Sequence, residues 1–142
     1  MSDKIEQETL KTVKLLWNVN STPEFIRNLQ NTVYKISIFD QPAILRLTRT
    51  NHRNILALKS ELEWTSFLSA NGCNVARPIK SVKGNLVETI LSGDAECFSS
   101  VFSFAEGRPI EAPDVLCPAT LIAWGQELGE YTTYQYAIIR PI

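Results

Sequence analysis

Histidine is nearly missing from this sequence: His52 is the only one among 142 residues, so no histidine-based metal cluster can be assembled. Also missing are GxxxxGK, GxGxxG, HExxH and GxSxG, which leaves the P-loop, dinucleotide-binding, zinc-protease and serine-hydrolase chemistries without their usual residues. Cysteine is scarce and odd in number. Cys73, Cys97 and Cys117 are far apart and form no CxxC, which argues against a disulfide framework or a zinc site and fits buried thiols in a reducing cytosol. No window approaches the ~18 apolar residues of a membrane span, and Met1 to Glu6 lacks an apolar stretch of signal-peptide length, so a cytoplasmic protein is expected. Fourteen Lys and Arg against fifteen Asp and Glu give a net charge of -1, with no basic run interleaved with aromatics. Nucleic acid and membrane surfaces are therefore not expected partners.

What is present is the composition of a folding chain, 44% hydrophobic and 20% charged. A globular domain of this length buries roughly 68–70% of its unfolded surface, enough for a core that needs neither metal nor disulfide.

Ile5, Leu10, Val13 and Leu16/Trp17 recur at roughly helical intervals, which predicts an amphipathic helix to about residue 17. After the breaker Asn20-Ser21-Thr22-Pro23, the runs Phe25–Leu29, Val33–Ile38 and Ala43–Thr48 are rich in β-favouring residues. Their short connections predict an antiparallel meander. A helix is predicted from about Asn51 to Ala70, closed by Asn71-Gly72, a pair suited to a left-handed cap. Extended segments at Asn74–Ile79, Leu86–Ile90 and Ala95–Phe104 follow, with Lys83-Gly84-Asn85 and Ser92-Gly93-Asp94 as turns. A breaker-rich connector from Glu106 to Asp114 then leads to a last helix from Pro118 to about Glu130. The fold class expected is α+β: a five- to six-stranded, mainly antiparallel sheet with one long packed helix and helices at either end.

Arg46 is the first residue that suggests chemistry. Leu45 and Leu47 flank it in a core-like strand, and alternation places it on a face with Ile44 and Thr48. A partly buried guanidinium there needs an anion; the alternative is a surface arginine on a half-exposed strand. On the next helix Glu61 shares a face with Ala57, Trp64 and Leu68, whereas Glu63 lies beside Lys59 on the polar side. A strand cation and an inward glutamate on the following helix are the pair with which protein-kinase-like enzymes orient nucleotide phosphates.

The segment from Ser60 to Ile79, with Glu61, Trp64, Leu68, Asn71-Gly72 and Arg77-Pro78 in that order, resembles the glutamate-helix-to-strand segment of aminoglycoside phosphotransferase and homoserine-kinase-like enzymes. Asn31-Thr32-Val33-Tyr34-Lys35-Ile36 is similar to the second strand of that protein-kinase-like family and Ala43-Ile44-Leu45-Arg46-Leu47-Thr48 to its third. Ser100 to Pro109 resembles its fifth strand and hinge. The resemblance spans about residues 20–130 and implies a kinase-like amino-terminal lobe over residues 1–107, with residues 108–142 as connector, helix and tail at the start of a second lobe.

The resemblance implies ATP as ligand, with Arg46 as the phosphate-orienting cation and Glu61 as its partner. Ser103 and Ala105 would supply hinge contacts to adenine, with Phe104 between them and Phe102 at the back of the pocket. Magnesium would arrive with ATP, since no protein ligand for it is identified. The turn Leu29-Gln30-Asn31-Thr32 holds no glycine, so no glycine-rich phosphate flap is claimed. No His-x-Asp loop follows Gly107 and Asp114 is the only aspartate beyond it, so the chain reads as truncated before the catalytic loop and inactive alone. Leu121, Trp124, Leu128 and Tyr131 share one side of the last helix, an apolar patch for self-association or a separate C-terminal lobe. The alternatives are a non-catalytic regulatory module on the same scaffold and an inactive gene remnant. The phosphate acceptor is not legible.

Overall fold

The structure, a computed structural model, describes residues 3–51, 53–107 and 117–139. The elements run α1 (Asp3–Trp17), β1 (Glu24–Asn28), β2 (Asn31–Ile38), β3 (Gln41–Arg49), α2 (Ile55–Ala70), β4 (Pro78–Ile79), β5 (Glu88–Ser92), β6 (Ala95–Ser103) and α3 (Pro118–Ile139). This is the expected α+β architecture: among the described residues, three helices and one six-stranded sheet in which every pairing is antiparallel.

β1, β2 and β3 form the meander that their short connections predict, and β3 then pairs with β6. The other edge of β6 carries β4 at one end and β5 at the other. The β2–β3 turn places Phe39 and Asp40 at φ 49° and 60°, the backbone of a two-residue hairpin turn that follows the twist of its strands.

Strand alternation divides the sheet into two faces. Tyr34, Ile36, Ile38, Ala43, Leu45, Leu47, Cys97 and Val101 point to one face, where Val13 and Trp17 of α1 cover them. The Trp17 indole N–H donates to the Ile79 carbonyl at 3.0 Å, so the polar edge of this core residue is satisfied. Phe98 lies on the opposite face, packed with Leu58 and Leu62 of α2, with Val87 and with the partly buried Phe102. The sheet is thus held between α1 and α2, and Arg46 belongs to the α2 face.

Several boundaries differ from the sequence expectation. β4 is reduced to Pro78–Ile79, and Asn74 to Arg77 is irregular rather than strand. α2 begins at Ile55 rather than near Asn51, where Asn54 caps it by accepting from Leu56 N at 2.7 Å. Its C-terminal cap is as predicted: Gly72 takes φ 86° and Cys73 N donates to Leu68 O at 3.0 Å. α3 runs on past Glu130 to Ile139. Thr132 and Thr133 let it continue, each bonding its hydroxyl back to the carbonyl four residues earlier at 2.9 Å. His52, the connector residues 108–116 with Asp114, and residues 140–142 lie outside the described residues.

Candidate functional site

Arg46 is centred in β3, opposite Val33 on β2 and Ser100 on β6. Its Nη1 donates to Glu61 Oε1 on α2 at 2.9 Å, and its guanidinium carbon lies 4.8 Å from the Phe102 ring centroid. A charge in the middle of a sheet is tolerated here because a carboxylate neutralises it and an aromatic face accepts its flat side. Only 18% of the Arg46 side chain is exposed, against 33% for Glu61.

Glu61 has a second partner: Arg53, two residues ahead of α2, donates Nη1 to Oε2 at 2.8 Å. Burial alone would raise the Glu61 pKa, but the hydrogen bond and charge of Arg46, followed by those of Arg53, hold it below its ordinary value of 4.5. The carboxylate is therefore ionised at neutral pH, as the bridge requires.

The face that Glu61 occupies differs from the one expected. Ala57 is exposed and Trp64 only half-buried, while the buried residues of α2 are Leu58, Leu62 and Leu68. Glu61 sits at the rim of that stripe and reaches the sheet through its length. Its helix-face neighbours did not identify its partner; the cation on the preceding strand did.

Phe102 pairs with Ile44 across the sheet, one row from Arg46. Ser103 ends β6, and both its amide and its hydroxyl are engaged with Arg77: Ser103 N donates to Arg77 O, and Arg77 N donates to Ser103 Oγ, each at 2.8 Å. This double tie anchors the segment that follows. Lys35 on β2 is Ile44's partner on its other side, and its Nζ stands 4.7 Å from the Phe104 ring centroid. Ala105 is exposed in the irregular stretch beyond β6. The structure thus gathers Arg46, Glu61 and Phe102 into one contact set, and aligns Ser103, Phe104 and Ala105 at the end of the strand that carries Phe102.

Four residues of this region were not singled out as site residues from sequence: Arg53, Lys35, Ser100 and Thr48. Arg53 and Lys35 gave no signal beyond their charge. Among the described residues the buried hydroxyls of Ser100, opposite Arg46, and of Thr48 have no hydrogen-bond partner, and neither do Arg46 Nε and Nη2. Polar atoms concentrated on a core face are a signal that strand alternation could have exposed. A cavity of about 430 Å³ lined by Arg49, Asn51, Ser92 and Cys97 among others shares no lining residue with the Arg46–Glu61 set. No group of three metal-ligating side chains occurs among the described residues, and no described helix is long and apolar enough to cross a membrane.

On α3, Leu121, Trp124 and Leu128 are 49%, 44% and 64% exposed. Tyr131 is instead turned to the lobe, where its hydroxyl donates to the Asn74 carbonyl at 3.3 Å.

No family model matches the chain. Over 121 residues, 82% of its length, it is 29% identical to amicoumacin kinase of Bacillus subtilis (strain 168), of which it covers 33%. Among solved structures it is similar to an amicoumacin kinase in complex with AMP-PNP, Ca2+ and Ami, at TM-score 0.69 and 27% identity over 80% of this chain and 36% of that one. A microcompartment-associated aminopropanol kinase follows at TM-score 0.58 and 21% identity, covering 80% of this chain and 34% of the other. A spectinomycin phosphotransferase in complex with ADP and spectinomycin gives 0.54 and 15% over 72% and 30%. At these two lower identities the likeness is one of fold. The chain spans about a third of the length of each of these relatives.

Proposed function

We propose that this chain, which matches the amino-terminal lobe of the aminoglycoside-phosphotransferase-like family, serves as the nucleotide-orienting half of a small-molecule kinase and binds ATP. The observation that carries the reading is the Arg46–Glu61 bridge at 2.9 Å, set over Phe102 one row from the end of β6. In this role Glu61 holds Arg46 in place, and Arg46 orients the α- and β-phosphates. Phe102 forms the apolar back wall. The Ser103 amide and hydroxyl are engaged with Arg77, so Ser103 would meet adenine through its carbonyl, and exposed Ala105 through its amide.

Residues 1–107 form the nucleotide lobe in this reading, and residues 108–142 lead into a second lobe. Magnesium enters as the ATP complex and neutralises phosphate charge. Transfer of the γ-phosphoryl group also needs an aspartate to position the acceptor hydroxyl and further metal ligands. Among residues 108–142 Asp114 is the one aspartate, and no residue of this sequence is assigned to those roles. Three free cysteines suit a reducing, cytosolic setting.

A second reading rests on α3. Its exposed Leu121, Trp124 and Leu128 suit a docking surface for a second copy or for a separate C-terminal lobe, which would make the chain a binding module.

Calorimetric titration with magnesium ATP and with adenosine, on the wild type and Arg46→Ala, tests the first reading. ATP binding that weakens in the variant while adenosine binding holds supports it. No binding of either ligand up to millimolar concentration would overturn it.

A further inference from the structure

Glu61 is a shared carboxylate, with Arg46 on Oε1 at 2.9 Å and Arg53 on Oε2 at 2.8 Å. Two guanidiniums on one carboxylate leave a net charge of about +1 in a half-buried place, an arrangement that favours an anion. The two arginines are not equally placed to meet it. Arg46 is largely covered, and its Nε and Nη2 are buried atoms. Arg53 is 42% exposed and uses Nη1 on Glu61, and among the described residues the rest of its donor fork has no other ion-pair partner.

From this asymmetry, and resting on the nucleotide reading above, we infer that Arg53 is a second phosphate-contacting residue. It meets the outer phosphates of a nucleoside triphosphate while Arg46 holds the inner ones, and Glu61 keeps both cations at one end of the ligand. Arg53 is then a specificity residue that favours the longer polyphosphate. No covalent step is involved; the contact is a charge-assisted hydrogen bond that strengthens with the charge on the terminal phosphate.

A purely structural role makes a different forecast, since an arginine that only steadies Glu61 on α2 would act through Arg46 on the inner phosphates and weaken ADP as much as ATP. The test uses the full chain as wild type, Arg53→Ala and Arg53→Lys, each first shown to be folded by circular dichroism. Each is titrated with magnesium ATP, magnesium ADP, adenosine and inorganic tripolyphosphate. We expect Arg53→Ala to lose roughly tenfold in affinity for ATP and tripolyphosphate, less for ADP and nothing for adenosine. Arg53→Lys should recover part of the loss, because charge is kept and the planar fork is not. Unchanged ATP and tripolyphosphate affinity in Arg53→Ala, or an equal loss for ADP, would overturn the inference. A wild type that binds tripolyphosphate but not adenosine would contradict the adenine contacts at Ser103 and Ala105, while a tripolyphosphate loss in Arg53→Ala would still uphold Arg53.

Discussion

The guanidinium of Arg46 lies over Phe102, its central carbon 4.8 Å from the ring centroid, while one of its nitrogens holds Glu61. The ring therefore supplies a partner to a cation whose Nε and Nη2 find no oxygen among the described residues. Replacing Phe102 by Leu keeps apolar bulk and removes the π face. We expect Phe102→Leu to cost about 0.5–2 kcal/mol, the usual worth of such a contact, measured by urea denaturation at neutral pH. A variant as stable as the wild type would show that the ring contributes only packing.

The bridge to Glu61 gives stability a pH dependence of one sign. The folded-state pKa of Glu61 is below its ordinary value of 4.5, because the two arginines outweigh the effect of burial. In the range between the two values the unfolded chain binds more protons, so stability falls there as pH is lowered. The contribution is complete above the ordinary value and is lost as pH falls through the folded one. Urea midpoints of the wild type and Glu61→Gln should differ at about pH 7 and draw together as pH is lowered well below 4.5. A constant difference would mean that Glu61 acts as a packing group.

The thiols should separate by reactivity. Cys117 is exposed at the start of α3, and the backbone N–H groups of Thr120 and then Ala119 bring its pKa down. Burial raises the pKa of Cys97, and burial followed by the charges of Glu130 and Glu127 raises that of Cys73. Brief alkylation of the native protein at neutral pH should give one adduct, located at Cys117 by peptide mass spectrometry. Labelling at Cys97 would contradict the packing between α1 and the sheet.

The apolar side of α3 predicts association. Leu121→Lys with Leu128→Lys should lower any concentration-dependent increase in mass seen by light scattering, and should leave nucleotide binding unchanged. A wild type that stays monomeric at high concentration would remove self-association as the use of this surface.

Much of the fold was legible because the responsible patterns are local. Alternation around Val33–Ile38 and Ala43–Thr48 gave the meander, and the Asn71-Gly72 pair gave the end of α2. Arg46 stood out as a charge between Leu45 and Leu47, each buried in the structure. The face of α2 was less readable. Ala57 and Leu58 are adjacent apolar residues, and only packing on Phe98 and Val87 decides that Leu58 turns inward. Arg53 was hidden for another reason: it lies in a polar stretch ahead of the Asn54 cap, and its contact with Glu61 depends on a long side chain reaching along the helix rather than on any periodicity. β4 was overestimated because apolar composition extends through Val75 and Ala76, whereas the ladder to β6 takes in only Pro78–Ile79 and Arg77 is tied to Ser103 in part through its side-chain hydroxyl.

The central claim is that nucleotide lies against Arg46, Arg53 and the segment after β6. Amide and arginine side-chain NMR spectra of the 15N-labelled chain, recorded during titration with magnesium ATP, test it most directly. Saturable shifts are expected at the Ser103 and Ala105 amides and at the Arg46 and Arg53 side chains, with adenosine moving only the first two. Saturable shifts confined to the cavity around Arg49 and Cys97, or none at millimolar ATP, would contradict it.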